Sequence, residues 1–282
     1  MERLQNLAAT PDEQATYALR LLEKERDVDV LLAALAVIAE REDPMLRPAL
    51  LRRYAYCDTN GVRRDPGGTV RIAILRALRP IALPEDVALF KRAVSTYEFL
   101  YGEATGDLRA EGLLALDDAD AVLAGYHCVR LLDDPYTSVM SGEPASTAVR
   151  VLASQKQLLP LYAYVMREAE RVPDVVAESL RSLASIPESL LPAVVEKYRE
   201  SENEIVLLGL FDLLLAHDAR SAYIDFILDF LRTTERYNVY RYLLIVLITG
   251  RDEAVIRQLE ALAATEQDRY KQEIWREARA LR

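Results

Sequence analysis

The chain has 282 residues, about half of them hydrophobic, and a formal net charge of −10. That apolar content is enough for a large core, and only ten glycines and twelve prolines argue against a disordered or β-rich chain. The acidic balance argues against wholesale binding to nucleic acid or anionic membranes.

In chain order, the start MERLQNLAATPDEQ has no apolar signal core, so the expected setting is cytoplasmic. Residues 1 to about 43 read as short amphipathic helices forming an N-terminal cap. Next comes YCDTNGVRRDPGG, which reads as a long loop. Its Asp58, Asn60 and Asp65 lack the third ligand and terminal glutamate of a calcium loop, so it is taken as a turn. Asp65 is placed to cap the following helix, which starts at Pro66 or just after Gly68. In TVRIAILRALRPIAL, residues Val70, Ile74, Ala77, Leu78 and Ile81 form one helical stripe. Arg71, Arg76 and Arg79 fall on the opposite arc. LPED and LDDADA mark further turns, and DDPYTSVMSGEPAS reads as a second long loop before another helix containing Val-Arg. RVPD, SIPE, AHDA and TGRDE punctuate the remainder into helices of roughly 10–15 residues. IVLLGLFDLLLAH and YLLIVLITG are the longest apolar runs, and both fall short of the roughly 20 residues that span a bilayer. In TTERYNVYRYLL, Tyr237 and Tyr240 share a helix side, Arg241 lies beside them, and Tyr242 turns away. The charged tail, about 264–282, reads as a C-terminal cap.

These helices repeat. LRALRPIALPEDVALF, VRVLASQKQLLPLYAYV, LRSLASIPESLLPAVV and GLFDLLLAHDARSAYIDF each run from one helix through a polar turn into a second, at spacings of about 31 to 38 residues. A single helical pair cannot bury its own apolar face, so such pairs stack. Arg150, Arg181 and Asp212 occupy one repeat position, each 31 residues from the next. Stacking therefore predicts that Arg181 pairs with Asp212, within about 6 Å.

The segments DPGGTVRIAILRAL, TGDLRAEGLLAL and PASTAVRVLAS resemble the second helix of HEAT repeats, and the short period resembles the HEAT-like repeats of phycobilin-lyase-type proteins. The likeness extends from about Asp43 to Leu262. It implies an all-α fold, a right-handed α-solenoid of stacked HEAT-like helical hairpins forming one domain. It also implies a groove lined by second helices, into which Arg71, Arg76 and Arg79 project.

Catalytic constellations are absent from the sequence. His127 and His217 read as ordinary core or surface residues. Cys57 and Cys128 show no metal spacing and read as reduced thiols. Asp117, Asp118, Asp120, Asp133 and Asp134 fall in polar turns, as solvated carboxylates. Phosphate-loop and dinucleotide motifs are missing, and the His-Glu pairs of the HEAT-like hydroxylases do not occur. No catalytic, cofactor or metal residue is assigned. Charge is uneven, however: residues 44–92 carry ten basic and four acidic side chains, and residues 93–146 carry two basic and ten acidic.

The leading expectation is a non-enzymatic helical-repeat scaffold that binds a protein or peptide, acidic in one variant, on its groove or loop edge. Arg63, Arg64, Arg71, Arg76, Arg79, Tyr237, Tyr240 and Arg241 are its candidate contact residues. Two rivals stand beside it. One is nucleic-acid binding or DNA repair through the arginine band, although HEAT-like alkylpurine glycosylases use several tryptophans and this chain has only Trp275. The other is a bilin-lyase-like enzyme or chaperone, on the repeat resemblance alone.

Overall fold

The structure is a computed structural model that describes residues 11–168 and 171–280. The first ten residues of the expected N-terminal cap and the last two of the C-terminal cap lie outside the described residues. Among the described residues the regular structure is helical, apart from one isolated bridge between Phe99 and Glu103. The chain is all-α. No helix among these residues is long and apolar enough to cross a membrane. The sequence reading drew one domain; contacts group the chain into two compact units that meet between Lys156 and Gln157.

The first unit contains α1 (Pro11–Lys24), α2 (Val28–Ala39), α3 (Arg47–Asp58), α4 (Gly61–Arg64), α5 (Thr69–Leu78), α6 (Val87–Val94), α7 (Gly106–Ala119), α8 (Ala121–Leu131) and α9 (Ala145–Ser154). Helices α2, α5, α7 and α9 each pack on the next, while α1 packs on α2 and α3, α6 on α7, and α8 on α7 and α9. The second unit contains α10 (Leu158–Met166), α11 (Pro173–Ser182), α12 (Leu191–Tyr198), α13 (Glu204–Ala216), α14 (Ile224–Thr233), α15 (Tyr237–Thr249), α16 (Glu253–Thr265) and α17 (Arg269–Arg279). Here α11, α13, α15 and α17 form the corresponding series.

The polar turns do local work as caps. Asp27, Asp120, Asn203, Asp252 and Asp268 each accept hydrogen bonds from backbone N–H groups of the helix that follows. These donors have no partner within their own helix, and losing one such cap costs about 1 kcal/mol. The apolar stripes then set the layers. In α13, Val206, Leu207, Leu210, Phe211, Leu213 and Leu214 are buried, which takes almost the whole circumference. Full burial of a leucine or phenylalanine stabilises by about 1.5–3 kcal/mol.

Side-chain hydrogen bonds join helices distant in sequence within each unit. In the first unit several span 35 to 39 residues, as in Arg76–Glu111, Arg47–Asp86 and Gln155–Asp117. In the second several span 30 to 35 residues, as in Arg181–Asp212, Tyr237–Asp268 and Arg236–Ser201. One of the two expected long loops is a correction. YCDTNGVRRDPGG is largely helical: it finishes α3, forms α4, and turns once more at Pro66–Gly68 before α5. Gly67 and Gly68 take φ of 75° and 78°, a region that side chains with a Cβ resist. The helix starts just after Gly68, and the Asp65 carboxylate accepts from the N–H groups of Val70 and Arg71.

Candidate partner-binding edge

Two loops of the first unit, residues 95–105 and 132–144, are fastened by one buried cation. Arg109 stands in the first turn of α7, and its side chain has no solvent exposure. Its Nη1 and Nη2 donate to the two carboxylate oxygens of Glu103 at 2.7 and 3.0 Å. Nη1 also reaches the Thr96 carbonyl at 3.1 Å. Glu103 and Thr96 belong to the first loop. From the second loop, Asp134 brings Oδ2 to 3.1 Å from Arg109 Nε, a charge contact without hydrogen-bond alignment. Tyr97 completes the tie: its ring lies 4.0 Å from the guanidinium carbon, and its hydroxyl donates to Asp134 at 2.9 Å.

The electrostatics follow from this packing. Burial alone raises the Glu103 carboxyl, but the Arg109 and Thr105 hydrogen bonds outweigh it and hold the group below the usual carboxylate range. Burial and the hydrogen bond to Asp134 raise the Tyr97 phenol. The expectation that Asp134 is a solvated helix-end carboxylate is corrected: its side chain is fully buried as a counter-charge for Arg109.

The loops are closed on themselves. Ala104 N–H donates to the Glu98 carbonyl, and Leu100 N–H to the Gly102 carbonyl. In the second loop Ser138 N–H donates to the Glu143 carbonyl, and Gly142 N–H to that of Ser138. With these backbone groups paired internally, the loops turn apolar side chains outward. Tyr101 is fully exposed, Met140 is 95% exposed, Val139 78% and Phe99 53%. Leu100, Tyr97 and Tyr136 are exposed as well. Tyr136 packs edge-on against both Phe99 and Tyr97, with centroids 5.2 and 5.9 Å apart, so the two loops present one joined aromatic surface. Beside it α8 exposes Val122, Tyr126 and Val129, which share one face at i, i+4 and i+7. A cleft of about 160 Å³, lined by Tyr97, His127, Arg130 and Asp133 among others, opens next to the patch. Burial and the nearby Arg130 and Lys91 keep the His127 imidazole below its ordinary pKa, so it is neutral there at pH 7.

The arginines named from sequence lie elsewhere and mostly play other parts. Arg71 is corrected outright: it has no exposure and cannot line a groove. Its Nη1 and Nη2 donate to Glu98 at 2.7 Å each, and its Nε to Asp65 at 3.0 Å. Burial works against its charge, but the hydrogen bonds it donates to Glu98 and Asp65 prevail and raise its pKa further. Arg76 and Arg79 are neutralised by α7, through Glu111 at 2.7 Å and Asp118 at 2.7 Å. Arg63 and Arg64 are exposed at the end of α4.

In the second unit, Arg181 Nε lies 2.7 Å from Asp212 Oδ2. Tyr242, 30 residues beyond Asp212, donates to its other oxygen at 2.5 Å. Tyr242 was read as turning away from its neighbours; that orientation delivers it to Asp212. Tyr240 is corrected as a surface residue: it is fully buried, and burial pushes its phenol up to about 12. Tyr237 donates to Asp268 at 2.8 Å, and Arg241 pairs with Glu277 at 3.3 Å. His217 is structural. Its Nε2 bonds the Ile186 carbonyl, and its Nδ1 accepts from Ala219 N–H.

Sequence reasoning missed the loop TYEFLYGEATG. The signal was available: Tyr97, Phe99, Leu100 and Tyr101 crowd five residues, a density that does not fit a helix that buries one face. Comparison with protein families, curated proteins and solved structures finds no match to this chain.

Proposed function

We propose that the protein is a non-enzymatic, cytoplasmic helical-repeat scaffold that holds a protein or peptide partner on the edge formed by residues 95–105 and 132–144. The observation that carries this reading is the joined Tyr97–Phe99–Tyr136 cluster with its exposed neighbours Leu100, Tyr101, Val139 and Met140. Exposed apolar patches beyond a few hundred Å² on a folded chain mark interaction surfaces. Aromatic side chains dominate binding energy because they bring large area at little conformational cost. The Arg109 tie holds both loops in place before a partner arrives, which lowers the entropy cost of association. Successive packing of α2, α5, α7 and α9, and of α11, α13, α15 and α17, supports the HEAT-like solenoid architecture expected from the sequence resemblance.

The test replaces exposed side chains only. A Phe99→Ser/Tyr101→Ser/Met140→Ser variant and the parent chain are each used as bait in native lysate, with captured proteins identified by mass spectrometry. Proteins retained by the parent are lost by the variant, while circular dichroism is unchanged. Equal capture by both baits refutes the assignment of this edge.

A further inference from the structure

Most arginines of the basic band are spent on internal carboxylates; a group near the start of the chain is not. We propose that the cleft between the C-terminal end of α1 and the outward side of α3 binds a short acidic segment of a polypeptide. This goes beyond the aromatic edge and rests on the reading that the chain binds protein partners.

The cleft holds about 380 Å³ and has Leu22 and Ala49 among its lining. Lys24, Arg26, Arg52 and Arg53 stand around it, and Tyr56 closes one side. The Arg64 guanidinium lies 4.2 Å from the centroid of the Tyr56 ring, and Nη1 donates to the Tyr56 carbonyl at 2.8 Å. Arg53 approaches the same ring at 5.1 Å, and its Nη2 donates to the Glu25 carbonyl. Among the described residues that line the cleft, four cations face two carboxylates, Glu23 and Glu25, and Arg64 adds a fifth cation behind Tyr56. Glu25 turns its Oε1 onto the N–H groups of Arg26 and Asp27, and those hydrogen bonds hold its pKa down. Glu23 meets Arg52 at 3.3 Å with both side chains more than half exposed, a pair that an incoming carboxylate displaces at little cost. Among the described residues, Lys24, Arg26 and Arg64 make no ion pair with a carboxylate.

The chemistry selects the ligand class. Guanidinium groups present paired donors that match carboxylates, and stacking on Tyr56 fixes the plane of Arg64. The apolar lining takes an aliphatic side chain between the charges. A nucleic-acid strand fits less well. Its charge continues beyond the roughly 8 Å over which salt lets the patch act, into a protein carrying a net charge of −10. A short acidic segment ends before that field is met.

The experiment titrates the full chain into a fluorescein-labelled peptide of alternating glutamate and leucine, followed by anisotropy at low and at physiological salt. Binding is expected at low salt and weakens as salt rises. The Arg52→Glu/Arg64→Glu variant, altered at exposed positions only, binds at least about tenfold more weakly. Arg232→Glu, an exposed change in the second unit, leaves affinity unchanged. Absence of binding at low salt, equal affinity in the double variant, or tighter binding of single-stranded DNA of matched length overturns the proposal. Failure here leaves the aromatic edge standing if Phe99→Ser/Tyr101→Ser/Met140→Ser still loses its captured proteins. Peptide binding that persists when that triple variant loses nothing overturns the edge alone.

Discussion

Replacing Arg109 by methionine keeps an unbranched apolar stem and removes the guanidinium and its charge. In the folded chain this strands Glu103 and Asp134, whose side chains are 4% and 0% exposed, without a cation. It also deletes two hydrogen bonds to the Glu103 carboxylate and one to the Thr96 carbonyl. Breaking a buried pair from one side costs about 3–5 kcal/mol, because the remaining charge stays desolvated. With a urea dependence of about 2–3 kcal/mol per molar, the midpoint for the first unit falls by about 1–2 M. The effect has a pH signature. The Glu103 carboxyl is depressed in the folded state, so its stabilisation is complete above the unfolded carboxylate pKa of about 4.3 and fades as pH falls through the lower folded value. The gap between parent and Arg109→Met is therefore full at pH 7 and narrows in acid. Adding Glu103→Gln to the variant recovers part of the loss, a non-additivity expected of contacting residues. Urea titrations at pH 7 and pH 4 measure all of this. A loss under about 1 kcal/mol at pH 7, the scale of an exposed pair, refutes the buried tie; so does a gap indifferent to pH.

Two further predictions concern packing and repeat register. A Cβ at Gly61 lands on the Glu98 carboxylate and the Arg71 guanidinium, so Gly61→Ala forces that buried pair apart and costs about 1–3 kcal/mol. Gly102→Ala meets open space and changes stability by less than about 0.5 kcal/mol; thermal unfolding of both variants checks the contrast. In the second unit, a double-mutant cycle between Arg181 and Asp212 gives a coupling of about 0.2–1 kcal/mol, since Arg181 remains 40% exposed. Burial and the hydrogen bond to Asp212 push the Tyr242 phenol up to about 12. Asp212→Asn lowers that pKa, so absorbance titration at alkaline pH shows one tyrosine ionising earlier than in the parent.

Helical periodicity and turn residues carry the all-α content because both are local properties. Apolar stripes at 3.6-residue spacing mark the buried faces, and Asp or Asn before a helix marks its start. The Arg181–Asp212 contact was readable for a related reason: a repeat converts a sequence offset into a spatial neighbour. Tyr242 follows Asp212 at nearly the same offset, 30 residues, and donates to the same carboxylate.

Arg71 was misread because an arginine on the polar arc of an amphipathic helix looks solvent-facing. Its fate is decided by Asp65, six residues before it, and Glu98, 27 residues after it, and no helical pattern links those segments. A weaker signal does exist. Asp65–Arg71, Glu103–Arg109 and Glu143–Arg150 each pair an acid just before a helix with an arginine six or seven residues later. Recurrence of that spacing marks it as a device of the fold, in which the carboxylate binds the first turn of the helix and its arginine together. The aromatic edge was half legible. DDPYTSVMSGEPAS stood out by length, whereas TYEFLYGEATG was assigned to no element.

Hydrogen–deuterium exchange on the chain with and without a captured partner locates the binding edge. Protection is expected in residues 96–104 and 133–144, with the helices of the second unit unchanged. Protection confined to α15 and its Tyr237–Arg241 surface, with the two loops exchanging as in the free chain, contradicts that expectation.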